Sequence, residues 1–380
     1  MNVFLPRENL PAETRVPVLP ETVKKLAGLG AEFEIEPGLG AAVHIADEAY
    51  RDAGAAVNGD RSAALRTADM VLRLRPPPAE DVDRLTEGCV HVGLLDPFRN
   101  LPLVRRLAER KISAVCMELI PRTTLAQKMD ALSSQANLAG YAAVILAAER
   151  LNKIFPMMMT PAGTIVPARV FIIGAGVAGL QAIATARRLG GRVEAYDTRP
   201  VVREQVESLG AKFVQVEIGE TGETRDGYAK ALSDEQLGAQ RRAMAKHCAQ
   251  ADVVITTAQV FGRTAPRIVT ADMIRGMKPG SVVVDLAVET GGNVEGAVLD
   301  QEIETDGVRI VGLGNLPGRV ALDASRMYSS NLGALVEHFW HQEDKRLNLD
   351  LEDAIMKGCL LTHAGQILNG AIAARAREAV

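Results

Sequence analysis

RVFIIGAGVAGLQAIATARR, residues 169–188, is the stretch on which the fold turns. Its first five residues are mostly β-branched or aromatic and predict a strand over 170–173. Gly174-Ala-Gly176-Val-Ala-Gly179 follows at once, and an Ala-rich helix is predicted over 176–189. Strand, glycine turn and helix open a dinucleotide-binding βαβ unit, in which each glycine has a mechanical task. Gly174 permits the tight turn, Gly176 lets the backbone approach a pyrophosphate, and Gly179 lets the helix lie close on the strand. The helix start offers unbonded N–H groups and a partial positive charge to the phosphates. A second strand, over 193–196, ends at Asp197, 18 residues after Gly179. A carboxylate there accepts both hydroxyls of the adenosine ribose and repels a 2′-phosphate, which predicts NAD(H) rather than NADP(H). Arg199 works against that preference, because a nearby Arg can hold a 2′-phosphate. After a further strand over 253–256, Thr257, Ala258 and Gln259 are expected to face the cofactor.

Outward from this unit the chain alternates strand and helix. Strands are predicted over 3–5, 32–36, 70–74, 90–94 and 113–117, and helices over 20–27, 45–53 and 102–110. A helix of about six turns is predicted over 126–149, bridging two domains. A loop rich in Met, Pro and Gly follows over 155–167. Beyond the glycine turn come a helix at 203–209, strands at 212–215, 281–285 and 309–311, and helices at 237–249, 271–277 and 325–340. The polar, Gly-rich segment 217–236 reads as a mobile loop. The last forty residues read as mainly helical and as returning to the first domain. The fold class is therefore α/β, with two Rossmann-like, doubly wound parallel sheets joined by long helices and NAD(H) in the interdomain cleft. The expected domains are 1–137 with 326–380, and 138–325.

Composition bounds the function. The chain has 380 residues, enough for two or three domains. A hydrophobic share of 47% allows packed cores, and a net charge of −4 argues against a nucleic-acid partner. Cys89, Cys116, Cys248 and Cys359 lie far apart, without zinc-ligand spacing or a disulfide framework, and read as four buried thiols in a reducing cytosol. No metal site is expected. The uncharged stretches 131–148 and 154–168 contain Ser, Gln and Asn, or Pro and Gly, and neither reads as a membrane span. No secretory signal is read at the start.

The stretch MELIPRTTLAQKMDALSSQANLAGY, residues 117–141, places Arg122, Gln127, Asp130 and Ser133 within twelve residues. Asp130 and Ser133 are three apart and are expected on one helical face, with Arg122 reaching back to Asp130 from the loop. Such a set can hydrogen-bond a nicotinamide carboxamide and its ribose. The plainer reading is a polar helix start capped by Thr123 or Thr124.

Read together, these blocks resemble the soluble NAD(H)-binding component, domain I, of the proton-translocating NAD(P) transhydrogenases. The resemblance runs over essentially the whole chain. It is carried by RENLPAETRV (7–16), the block 117–141, FPMMMTPAGTIVPARVFIIGAGVAGLQAIATARRLG (155–190) and YDTRPVVREQVESLGAKF (196–213). It continues through GYAKALSDEQ (227–236), ITTAQVFGRTAPRIVTADMIRGMKPGSVVVDLAVETGGN (255–293) and RVALDAS (319–325). The resemblance implies Arg122 at the carboxamide, oriented by Asp130, and Ser133 bonded to the same group. It implies Gln127 between this nucleotide and NADP(H) on a partner, with Thr123, Thr124 and Leu132 lining the site. Ala175 to Val177 would hold the pyrophosphate, and Asp197, Thr198 and Arg199 the adenosine. Gly227 and Tyr228 would belong to the mobile loop, and Gln240 to a further contact. The sequence departs from the family at Leu125, where some members have Arg, at Gln259, usually apolar, and in GNLPGRV (314–320).

What the resemblance implies is direct hydride transfer between NADH on this chain and NADP+ on a partner subunit. It further implies a homodimer, separate membrane subunits that translocate protons, and a place on the cytoplasmic face of the inner membrane without insertion. An alternative is an alanine dehydrogenase-type enzyme, which shares the fold. Such enzymes use an Arg near the start, a Lys and a His; Arg15 and His91 stand at matching places, but Leu74 stands at the Lys position. An NAD sensor without catalysis is a third reading.

Overall fold

Residues 1–216 and 233–378 are described in the computed structural model. They divide into two compact units, Met1–Gln135 with Gly318–Val380, and Ala136–Pro317.

The first unit opens with six parallel strands: β1 (Asn2–Leu5), β2 (Glu32–Ile35), β3 (Ala55–Val57), β4 (Met70–Leu72), β5 (Val90–Gly93) and β6 (Ser113–Cys116). They lie in the order β3-β2-β1-β4-β5-β6. This is a doubly wound sheet whose direction of winding reverses between β1 and β4. β4, β5 and β6 are buried along their whole length, which is why they read as nearly continuous apolar runs. The helix Pro20–Ala27 starts at its proline, whose missing N–H costs nothing in the first turn.

The second unit begins within the helix Ala131–Arg150. A hairpin of β7 (Met158–Thr160) and β8 (Gly163–Ile165) stands where a loop was expected. The main sheet comprises β9 (Arg169–Ile173), β10 (Arg192–Tyr196), β11 (Lys212–Phe213), β12 (Val253–Thr256), β13 (Val282–Asp285), β14 (Gln301–Thr305) and β15 (Val308–Gly312). Its order is β11-β10-β9-β12-β13-β15-β14. All neighbours are parallel except the edge strand β14. Over β11-β10-β9-β12-β13 the strand order matches that of the first unit's β3-β2-β1-β4-β5, with a reversal between β9 and β12. Ile172, Ile255, Val284 and Val311 fill one face of this sheet, and Phe171, Val254, Val283 and Ile310 the other.

The chain then returns to the first unit through the helix Ala321–Phe339. The last forty residues depart from the helical expectation. They contain β16 (Trp340–His341), β17 (Arg346–Leu347), β18 (Leu360–His363) and β19 (Gln366–Ile367), with helices Ala354–Cys359 and Gly370–Glu378. β18 joins β6 antiparallel and extends the first sheet. Its short Leu-Leu-Thr-His run has too few residues to separate strand from helix by periodicity alone.

The helix expected over 126–149 is also corrected. Gln127–Met129 forms a 3-10 turn, and the α-helix runs Ala131–Arg150. It starts there because the Asp130 carboxylate takes the Ser133 N–H at 2.9 Å, as a capping side chain does. By length and composition the helix could cross a membrane, yet nearly half of its most apolar window is buried in the fold. All four cysteines are buried and free.

Candidate functional site

The carboxyl ends of β9 and β12 flank the winding reversal of the second sheet, where an open α/β sheet leaves a crevice for ligands. Gly174 turns the chain there with φ +100°, a conformation that only glycine takes without strain. A Cβ on Gly174 would sit 2.4 Å from Thr257 Oγ1, and one on Gly179 only 1.9 Å from Gly174 O. The two glycines thus let the helix Val177–Arg188 begin directly on the strand end. Its N-cap is Gly176, which has no side chain to cap the first N–H groups, and a helix start left in this way can take an anion. The residues present fit the phosphates of a dinucleotide.

β12 locks the turn. The Thr257 N–H donates to Ile173 O at 2.8 Å and its hydroxyl donates to Gly174 O at 3.1 Å. Next to it, the Ala258 N–H donates to Asn293 Oδ1, and Asn293 Nδ2 returns bonds to Ala258 O and Pro266 O. Asn293 is itself held by Asp285, whose buried carboxylate accepts the N–H groups of Ala287, Asn293 and Val294 and the Thr256 hydroxyl. Burial raises the Asp285 pKa, and those donors pull it back only in part. The sequence reading missed this Asp285–Asn293 support. The run VETGGN, with Gly291 and Gly292 both at positive φ, was the available signal that the backbone there is specially shaped. Gln259 is exposed and donates to Leu286 O at 3.3 Å.

At the end of β10, Asp197 is nearly buried. It accepts the Ala175 N–H at 2.7 Å and the Arg199 N–H at 2.9 Å, and the Arg199 guanidinium grips both of its oxygens at 2.9 Å. Asp197 is therefore joined to the glycine turn through Ala175. Gln240 is only 2% exposed. Its amide donates to the Tyr196 hydroxyl at 3.2 Å, and its Oε1 has no partner among the described residues. Gly227 and Tyr228 lie outside the described residues. So does most of the segment 217–236. Ser233 to Gln236 form instead the capped start of the helix Asp234–Gln250, with reciprocal Ser233–Gln236 bonds.

In the first unit, β6 leads into residues 117–135. Ala126, Met129 and Ala131 are buried in the core and fasten this segment. Asn331 of the helix Ala321–Phe339 adds two polar ties, donating to Lys128 O at 2.8 Å and accepting from the Ser134 hydroxyl at 2.7 Å. The anchored face leaves Arg122, Thr123, Thr124, Leu125 and Gln127 exposed, while Leu132 and Ser133 are half-buried. Asp130 binds Ser133 twice, the hydroxyl donating to Oδ2 at 2.5 Å. Asp130 and Ser133 are thus a cap and its partner, rather than neighbours on one helical face. Asn331 was not anticipated from sequence, since a lone Asn in a long helix gives no spacing signal.

Three residues that bear on the amino-acid dehydrogenase alternative lie in the same unit. Arg15 is only 5% exposed. It donates to both Glu13 oxygens, at 2.8 and 2.7 Å, and to Gln135 Oε1 at 2.8 Å. Burial opposes the Glu13 charge, but its bonds to Arg15 and Arg75 outweigh that and bring its pKa down to about 2. Leu74 is fully buried. His91 is fully buried within β5, and neither ring nitrogen has a partner among the described residues. Burial, aided by Arg73, lowers its pKa to about 3. Arg15 is thus engaged by Glu13 and Gln135, Leu74 has no polar group, and the two unpartnered ring nitrogens of His91 are enclosed.

Comparison with known proteins matches both parts of the chain to one family, although the family's C-terminal domain also takes in residues 318–370, which belong to the first compact unit. Residues 4–139 match the N-terminal domain of the alanine dehydrogenase/PNT family, and residues 143–370 match its C-terminal domain. The chain is 46% identical to the first part of the NAD(P) transhydrogenase subunit alpha of Rhodospirillum rubrum, over 98% of this chain and 99% of that protein. It is 39% identical to the NAD(P) transhydrogenase subunit alpha of Haemophilus influenzae, over 96% of this chain and 71% of that one. Among solved structures, a transhydrogenase from Sinorhizobium meliloti superposes with a TM-score of 0.87 at 46% identity, covering 97% of this chain and all of the other.

Proposed function

The chain belongs to the alanine dehydrogenase/PNT family, and from that premise we propose that it is the NAD(H)-binding component of a proton-translocating transhydrogenase. The observation that carries this reading is its likeness, from end to end, to a transhydrogenase alpha-subunit chain of matching length. In this reading NADH supplies the hydride, and NADP+ on a partner subunit receives it. Membrane subunits couple the exchange to proton movement, so that this chain sits peripherally on the cytoplasmic side. The chain works as a homodimer.

The residues then act by binding and orientation. The Gly174–Gly179 turn and the following helix start hold the pyrophosphate, and Asp197 accepts the ribose hydroxyls. Arg122 and Ser133, with Thr123, Thr124 and Leu132 beside them, hold the carboxamide end. Gln127, exposed on an anchored 3-10 turn, faces the partner's nucleotide and limits its approach. Hydride exchange between two nicotinamides needs no acid or base. It needs the reacting carbons at about 3–3.5 Å, and rigid presentation provides that.

The test is single-turnover mixing of the NADH-loaded chain with an NADP+-loaded partner domain, followed by absorbance. Transfer well above the rate for the two free nucleotides is expected. No acceleration would remove the reading, and reductive amination of pyruvate by the chain alone would favour the alanine dehydrogenase alternative.

A further inference from the structure

Asp197 has no acceptor capacity to spare. An ionised carboxylate offers about four lone-pair positions, and in this protein four donors meet them: the Ala175 N–H, the Arg199 N–H, Arg199 Nε and Arg199 Nη2, all at 2.7–2.9 Å. A ribose that is to give two hydroxyl hydrogens to Asp197 must displace two of these. The backbone donors cannot leave. Ala175 belongs to the turn that follows β9, and that turn is tied to β10 by the Gly174 N–H to Tyr196 O bond at 2.8 Å. Arg199 N–H lies two residues along the same backbone as Asp197. The guanidinium, on a flexible side chain, is the group that can move.

Its position shows where it can go. Arg199 Nη2 lies 3.9 Å from the point where a Cβ on Gly176 would stand, so the guanidinium overhangs the turn that a pyrophosphate approaches. A guanidinium matches a phosphate as well as it matches a carboxylate, bidentately in both cases. We propose that Arg199 is an exchangeable counter-ion: it fills Asp197 in the free protein, passes to the phosphates when a nucleotide binds, and so sets the margin by which NAD(H) is preferred over NADP(H). This rests on the nucleotide reading of the site and adds a specificity-determining role within it. While Arg199 pairs with Asp197 the local charge is near zero. A 2′-phosphate then meets little repulsion and finds a cation already in place. Without Arg199, Asp197 stands as a bare anion against that phosphate.

The test uses the full chain with Arg199→Ala and Arg199→Lys, and measures displacement of fluorescent NADH by adenosine, ADP and NADPH. Adenosine has the ribose but no phosphate, so Arg199→Ala should bind it at least about three-fold more tightly, because only the competitor has been removed. ADP should bind at least about three-fold more weakly, and the NADH to NADPH affinity ratio should rise by about ten-fold, the scale of one charge-assisted contact. Arg199→Lys cannot fill both carboxylate oxygens but keeps a cation near the phosphates. It should tighten adenosine while restoring ADP, and it carries the test if Arg199→Ala does not fold. Adenosine and ADP shifting in the same direction, or an unchanged NADH to NADPH ratio, would overturn the proposal. A wild-type chain that binds neither NADH nor ADP would instead overturn the nucleotide reading itself.

Discussion

Asp197 shows how much rests on one charge. Asp197→Asn keeps the shape and loses the charge, so NADH is expected to bind about 1–3 kcal/mol more weakly. NADPH should lose less, because the Arg199 guanidinium released from the lost carboxylate charge is left to its 2′-phosphate. Fluorescence titration of both nucleotides checks this, and equal losses would place the preference elsewhere. Gln127 makes the opposite kind of prediction. It is exposed and assigned to the partner's side, so Gln127→Asn should leave NADH titration nearly unchanged and slow hydride transfer ten-fold or more, about 1.4 kcal/mol on the barrier. Arg122→Ala should weaken both. An unchanged transfer rate for Gln127→Asn would remove its assigned role. His91 concerns stability instead. Its pKa in the fold is about 3, against an ordinary 6.5. Between those values the unfolded chain binds a proton that the folded chain does not. The contribution is therefore whole above pH 6.5 and is lost as pH falls, at about 1.4 kcal/mol per unit. His91→Leu, which leaves no orphaned ring nitrogen, should lose about 2 kcal/mol less stability than wild type between pH 7 and pH 5. Urea unfolding at the two pH values measures it, and parallel losses would show that His91 does not titrate in this way.

At the scale of elements, the glycine turn has the least tolerance. A methyl group on Gly179 would fall 1.9 Å from a backbone oxygen, so Gly179→Ala must push the helix Val177–Arg188 off β9. Gly59→Ala meets nothing within 4 Å and serves as the control. The first variant should lose NADH binding by ten-fold or more and unfold at lower temperature by calorimetry, and the control should match wild type. Equal behaviour would mean the turn can relax. This turn was legible in the sequence because glycine spacing, strand and helix all encode one geometry. The strand Val253–Thr256 and the helix Pro20–Ala27 were legible too, one as an unbroken β-branched run and the other through its proline start. Elsewhere the code is weaker. The helix Ala79–Arg84 is short and polar, and the edge strand Gln301–Thr305 has charged or polar side chains at nearly every position, as an edge that avoids further pairing does. Neither carries a periodicity that a sequence reading can use. The sequence pattern places Asp130 inside the helix because its capping role depends on where the helix starts, and the apolar pattern does not mark that point. The Arg199–Asp197 pairing was invisible for a related reason: residues two apart at a strand end meet only if the turn brings them round.

At the scale of the whole molecule, the described residues include an apolar surface that a single chain leaves uncovered. The stretch 154–168 contains no charged residue. Its hairpin of β7 and β8 exposes Met157, Met158, Met159, Ile165 and Val166, with Met159 at 74%. A two-stranded hairpin without a buried face is marginal in water, and so contiguous an apolar surface marks an interaction site. On the helix Ala131–Arg150, Tyr141 and Ile145 are exposed four residues apart, on one helical face. An uncharged patch can meet its own copy about a two-fold axis without bringing like charges together, whereas a charged patch would need a complementary partner. The proposed homodimer should therefore sediment at twice 40.6 kDa at micromolar concentration. Met159→Glu would bring two carboxylates and their desolvation into an apolar contact, and should shift the species toward 40.6 kDa while NADH titration stays as in wild type. A wild-type monomer would rule out the dimer. A wild-type dimer indifferent to Met159→Glu would move the contact from the hairpin to the long helices, because the exposed methionines could not then be the surface that association covers.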